Sequence, residues 1–154
     1  MSAPISARSL KRADKILTGI GYVAYPALLL YLIITGSPLL LACIIVPACS
    51  FGLITLLRIA VNAKRPYEEG KAENLLEKQT QGRSFPSRHV ASLFIIASSW
   101  LLACEPVGII LCLLGCAMAY IRVKGGAHYP QDVIAGAIFA FVLCAIGYAI
   151  AYSL

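Results

Sequence analysis

The sequence predicts an all-α protein, a polytopic transmembrane helix bundle of about five spans preceded by an interfacial helix, in a single domain over 1–154. Two observations carry this expectation. Hydrophobic residues make up 60% of the chain and charged residues 13%, and the mean hydropathy is +0.82, values foreign to an ordinary soluble domain. The apolar residues also gather into five stretches, Ile16–Thr35, Pro38–Leu57, Pro86 or Val90–Cys104, Pro106–Ile121 and Val133–Leu154.

Taken in order, residues 1–15 carry Arg8, Lys11, Arg12 and Lys15 and read as a short helix lying on the membrane; a disordered basic tail is the alternative. A cleavable signal peptide is the competing reading, but the apolar run that follows is too long for an h-region and no small-x-small site closes it. A helix rises about 1.5 Å per residue, so about 20 residues cross a hydrocarbon core of about 30 Å. The first, second and fifth stretches reach that length. The third falls short unless its helix begins at Pro86, and the fourth is the span with least support. Pro26 and Pro47 fall inside spans, where they kink a helix whose neighbours satisfy the freed carbonyls. A polar loop over 62–85 joins the second and third spans and is expected to lie over the functional site. Within it, Glu68, Glu69, Glu73 and Glu77 alternate with Lys71 and Lys78 at helical spacing, which predicts an exposed helix over 67–81 that serves as a lid or as a solvated connector.

The six cysteines, at 43, 49, 104, 112, 116 and 144, lie in or at the ends of apolar stretches, form no CxxC pair and read as packing residues. Neither a metal nor a cofactor is expected.

Threading five spans brings the N-terminus, the 62–85 loop and the short polar segment Arg122 to Asp132 to one side of the membrane. All 13 Lys and Arg residues then share that face. Two explanations stand together: the positive-inside rule, which makes the face cytoplasmic, and a cluster that binds an anion. Simple anchoring to acidic headgroups would also suffice, but the only two histidines, His89 and His128, arrive on the same face.

Along that face the order is Arg58-x6-Arg65-Pro66, then Pro86-Ser87-Arg88-His89, then Arg122-x5-His128-x3-Asp132. Singly each pattern is common; together, at the ends of separate helices, they specify a chemistry. A phosphate monoester spreads charge over three oxygens in its transition state, and guanidinium forks at Arg58, Arg65 and Arg122 can meet those oxygens. A helix starting at Pro86 would offer free N–H groups at Ser87, with the Ser87 hydroxyl beside them. Pro130 starts another helix and puts Asp132 in its first turn. Asp132 is then placed to hold one ring nitrogen of His128, which leaves the other nucleophilic, and His89 remains to protonate a departing alkoxide.

These motifs resemble the three-part signature of the type-2 phosphatidic acid phosphatase and vanadium haloperoxidase superfamily: Lys-x6-Arg-Pro, Pro-Ser-Gly-His and Ser-Arg-x5-His-x3-Asp. The resemblance implies a helical core of that family's kind and a phosphohistidine intermediate formed without a metal. It makes His128 the nucleophile, Asp132 its orienting carboxylate, His89 the general acid, and Arg58, Arg65, Ser87 and Arg122 the phosphate-binding set. Three positions depart from the signature. Arg58 stands for lysine, Arg88 for glycine, and Ile121 for the serine before Arg122. Arg88 either joins the phosphate-binding set or turns to solvent.

The expected function is a membrane lipid phosphatase acting on a phosphomonoester such as phosphatidate, phosphatidylglycerol phosphate or a polyprenyl-linked phosphate. The expected partners are the bilayer and that lipid, not nucleic acid. A lipid phosphotransferase and a non-catalytic headgroup-binding protein are the alternatives.

Overall fold

The computed structural model describes residues 6–153, which form five helices and, among those residues, no strand. The helices are α1 (Ala7–Ile34), α2 (Leu40–Val61), α3 (Arg88–Ala103), α4 (Glu105–Lys124) and α5 (Pro130–Ser153). Four of them, all but α3, are long and apolar enough to cross a membrane.

Helix α1 has 28 residues, about 42 Å at 1.5 Å per residue, so it outruns a hydrocarbon core of about 30 Å. The separate interfacial helix expected over 1–15 is not separate: residues 7–15 are the first turns of α1, and residues 1–5 lie outside the described region. Ser6 caps the helix by accepting from the Arg8 amide at 3.3 Å, and nothing between Arg8 and Ile16 breaks the backbone ladder. The basic turns therefore project from the membrane as a continuation of the span. Pro26 and Pro47 lie inside α1 and α2 without ending either helix, as the apolar pattern requires.

The third stretch differs from its expectation. Its helix starts at Arg88 with Ser87 as N-cap, not at Pro86, because Ser87 is extended (φ −70°, ψ 108°), with its amide donated across the bundle to Asp132 O at 2.8 Å. The result is a helix of 16 residues, and it is this one, rather than the 20-residue α4, that is shortest. It can be short because it is the central helix. Every residue from Val90 to Trp100 except Ser92 is buried, and α3 touches all four other helices. The lipid-facing surface is supplied by the others through exposed side chains such as Tyr22, Leu41, Leu56, Leu113 and Ile150.

Polar groups inside the bundle are paired between helices, as a solvent without hydrogen bonds demands. Trp100 Nε1 donates to Ala24 O at 2.9 Å, Tyr25 OH to Cys43 O at 3.1 Å, and Tyr148 OH to Ser99 Oγ at 2.7 Å. Only Cys104 separates α3 from α4, and the two lie in close contact. A Cβ at Gly108 would sit 2.5 Å from the Leu101 amide nitrogen, and one at Gly115 would sit 2.9 Å from the Phe94 ring.

The 62–85 segment forms turns and no helix, which corrects the helix expected over 67–81. Its charges are used in tertiary pairs rather than along a helix face. Glu68 Oε1 accepts from the amides of Arg65 and Gly82 at 3.1 and 2.7 Å, Lys78 pairs with Asp14 at 3.0 Å, and Lys11 pairs with Glu77. Gly70 and Gly82 take positive φ, as do Glu77 and Arg83, and a helix cannot continue through such residues.

The α3/α4 contact yields a direct expectation. Gly108→Ala should lower unfolding stability in detergent by about 1–3 kcal/mol through overpacking, whereas Gly52→Ala, whose Cβ meets nothing within 4 Å, should not lower it. Equal stability of the two variants would refute the close packing.

Candidate active site

The eight residues singled out in the sequence sit on one face, at the ends of helices. Arg58 is in the last turn of α2 and Arg122 in the last turn of α4. Ser87 caps α3, Arg88 and His89 open it, and Asp132 lies in the first turn of α5. Arg65 and His128 come from the loops between. Hydrogen bonds join these ends to one another. Arg58 Nη1 donates to Pro86 O at 2.7 Å, Arg65 Nη1 to Ala127 O at 3.2 Å, and Arg65 Nε to Gly82 O at 3.1 Å. Close packing adds to this, since a Cβ at Gly136 would lie 2.8 Å from Ser87 O.

Arg58, Arg65, Ser87, Arg122, His128 and Asp132 are all buried, with Arg122 at 1% exposure and Ser87 at 0%. A permanent cation buried at a membrane edge needs compensation. Backbone carbonyls supply it for Arg58 and Arg65. Arg122 instead has Asp14, with Nε 2.8 Å from Oδ1, an ion pair whose N–H lies off the line to the oxygen. Among the described residues four buried side-chain atoms on this face lack a hydrogen-bond partner: Arg122 Nε and Asp14 Oδ1, which face each other as charges, and Arg122 Nη2 and Ser87 Oγ, which face neither a charge nor an acceptor. Unpaired buried donors are costly, and native folds keep them where something else will fill the demand.

The start of α5 orders the histidine. Tyr129 N donates to Asp132 Oδ2 at 3.0 Å, so the carboxylate caps its own helix. The same oxygen accepts from Ser84 Oγ at 2.5 Å. His128 Nδ1 lies 3.6 Å from Asp132 Oδ2 and 3.4 Å from Ser84 Oγ. The direct Asp132 to His128 bond expected from the spacing is therefore long, and the Ser84 hydroxyl sits beside it as a second partner. Nδ1 faces this pair, and Nε2 has no partner among the described residues. Burial pushes the His128 imidazole down to about 4, with Asp132 opposing and Arg65 and Arg122 adding to the shift. The ring is neutral at ordinary pH and presents a lone pair.

The Ser87 amide was expected to be free for an anion and is not, since Asp132 O takes it. The amides of Arg88, His89 and Val90 precede the first bond of α3, from Ala91 N to Ser87 O at 2.9 Å, and they are the orphan donors of that helix start. Arg88 is exposed, with its guanidinium 5.9 Å from the centre of the Phe51 ring. His89 and Arg88 line one end of a cavity of about 580 Å³ between α1, α2 and α3 whose walls include Leu17, Tyr22, Phe51 and Ile96.

Two residues of the site were not singled out from the sequence. Ser84 had no motif to mark it. Asp14 did carry a signal: it is the only acidic residue before Glu68 and stands in a helix turn otherwise full of cations. The Gly125-Gly126 turn is pressed from above by the polar loop, because a Cβ at Gly126, where φ is +72°, would lie 2.2 Å from Glu73 O. Among the described residues no group of three or more His, Cys, Asp or Glu side chains is placed to hold a metal ion.

Protonation of His128 can be followed alone in His89→Gln protein. Nitrogen NMR of the remaining ring should show a neutral imidazole from about pH 8 down to about pH 5.5. A midpoint near the ordinary value of 6.5 would contradict the buried, cation-flanked setting.

No curated protein sequence matches the chain. The crystal structure of Aquifex aeolicus LpxE is similar to it, with 27% identity, a TM-score of 0.76, and coverage of 96% of this chain and 88% of that one. Residues 27–153, which hold every residue named in the three motifs, match the PAP2 superfamily, and the chain belongs to that family.

Proposed function

We propose that the protein is an integral membrane lipid phosphatase that hydrolyses a phosphomonoester through a phosphohistidine on His128. The observation that carries this reading is the pair of buried, unpartnered donors, Arg122 Nη2 and Ser87 Oγ, on a face that also holds a neutral histidine. A phosphoryl group supplies the acceptors these donors lack. Arg58 and Arg65, each fixed along one edge by backbone carbonyls, present their remaining N–H groups to the same anion.

In the first half-reaction His128 Nε2 attacks phosphorus, the N–P bond forms and the P–O bond to the lipid breaks. His89 gives its proton to the leaving oxygen. Burial first, then the charges of Arg122, Lys78, His128 and Arg88, push the His89 imidazole down to about 2; the incoming phosphate dianion offsets those charges, and the ring takes up the proton it donates only with the phosphate in place. In the second half-reaction water attacks phosphorus, His89 takes the water proton, the N–P bond breaks and phosphate departs. Asp132 and Ser84 hold the Nδ1 side of His128 throughout.

The cavity of about 580 Å³ receives the apolar part of the lipid beside His89, and Arg88 meets the phosphate from that side. A phosphatidate, a phosphatidylglycerol phosphate or a polyprenyl-linked phosphate each fits an apolar chamber with a cationic end. The basic face is read as cytoplasmic, from Arg8, Lys11, Arg12, Lys15, Lys71, Lys78 and Arg83 together.

Charge stabilisation in this scheme comes from arginines and amides. Purified protein should therefore release phosphate from a lipid phosphate in EDTA and should be blocked by orthovanadate. Loss on chelation with recovery in Mg²⁺ would refute it.

The two histidines separate by leaving group. His128→Ala should abolish turnover of every substrate, by a factor of about 10³ or more. His89→Ala should cost far more on a lipid phosphate, whose alkoxide needs a proton, than on p-nitrophenyl phosphate, whose phenolate does not. Equal losses on both substrates would remove His89 from the acid role, and activity in His128→Ala would remove the nucleophile.

A further inference from the structure

Asp14 is buried to 4% exposure in α1, in a turn that precedes the family match at residue 27. Its two carboxylate oxygens are divided between two cations. Oδ1 lies 2.8 Å from Arg122 Nε and Oδ2 lies 3.0 Å from Lys78 Nζ. A guanidinium is a rigid plane, so a charge that fixes its Nε edge also fixes where Nη2 points. Among the described residues both Nε and Nη2 of Arg122 are buried without a hydrogen bond; Nε faces the Asp14 charge, and Nη2 faces no side-chain acceptor.

The carboxylate is itself held. Lys11, one turn earlier on α1, pairs with Glu77 beside Lys78. Leu76, the residue before Glu77, is buried, and a Cβ at Gly125 would fall 2.4 Å from its Cγ. Helix α1, the 73–78 strap and the turn that leads to His128 are thereby one packed unit.

We infer that Asp14 is a positioning residue of the active site, holding Arg122 with Nη2 turned toward the phosphate and tying α1 and the strap to that arginine. This rests on the phosphate-binding role proposed for Arg122. It differs from two simpler roles by sign. If Asp14 only offset charge, or competed with phosphate for Arg122, its neutralisation would raise the positive potential of the site and tighten anion binding. If it only supported the fold, its loss would lower the amount of competent protein and leave the affinity of the remainder unchanged. A positioning role predicts weaker binding, because the fork loses its orientation even as the site becomes more cationic.

The test uses the full chain in detergent and reads orthovanadate binding by titration calorimetry, which needs no turnover. Asp14→Asn should weaken vanadate binding about tenfold, the scale of one charge-assisted contact, while the thermal melt stays cooperative. In an Arg122→Ala background the same substitution should change affinity by less than about twofold, as a pair that acts through one residue requires. Should Asp14→Asn not fold, Asp14→Glu displaces the carboxylate by one methylene and should show the same dependence on Arg122. Tighter binding, unchanged affinity, or an equal loss in both backgrounds would overturn the inference. Wild-type protein that binds vanadate but releases no phosphate from any lipid phosphate would instead refute the proposed function and leave the positioning of Arg122 standing.

Discussion

Burying guanidinium groups at the edge of a hydrocarbon layer is the constraint from which the rest of this structure follows. Arginine does not shed its proton under these conditions, so Arg58, Arg65 and Arg122 must be met by acceptors or by water. Arg58 and Arg122 lie at helix ends and Arg65 in a loop, where the backbone exposes carbonyls that are not already used in a helix. Pro86 O, Ala127 O and Gly82 O serve Arg65 and Arg58 in this way. These bonds tie the last turn of α2 to the lead-in of α3, and the 62–85 loop to itself and to the turn between α4 and α5, so satisfying the cations also gathers those segments around a common face. The arginines organise the site as well as furnish it.

The same constraint explains the inequality of the helices. A central helix needs no lipid-facing surface of its own, and α3, with buried residues on nearly every side, is freed from the length that the outer helices need. Its start is set by the site rather than by the membrane. Ser87 N is tied to Asp132 O, and Gly136 allows the α5 backbone to approach Ser87 closely. The helix therefore opens level with the start of α5, and Ser87, His89, His128 and Asp132 arrive together.

Much of this was legible in the sequence. Apolar stretches gave the spans because hydropathy reports a solvent preference that tertiary structure does not override. The three motifs marked residues that the structure gathers on one face, because Arg, His and Asp are expensive near lipid and few in number, and threading leaves them one face to share. Three features were not legible. The pattern of Glu and Lys over 67–81 has helical spacing, yet Glu68, Glu77 and Lys78 are spent on distant partners, and spacing alone does not say where a partner lies. Pro86 looks like a helix start, but the Ser87 amide is claimed by a residue 45 positions later. Ser84 and Asp14 belong to no motif, and their importance comes only from what lies against them: an aspartate and a histidine in one case, an arginine and a lysine in the other.

One consequence follows from the joint at Cys104. Helix α3 passes to α4 through that residue alone, and α1 passes to α2 through 35–39. Away from the basic face, the described chain thus offers two tight bends, with the Thr35 hydroxyl turned back onto Tyr31 O, and the helical end of α5. A protease needs an extended run of backbone to cleave, and these short bends and helix end supply none among the described residues. Cleavage of residues 6–153 from the aqueous phase is therefore directed to the 62–85 loop, the long non-helical run of the described chain.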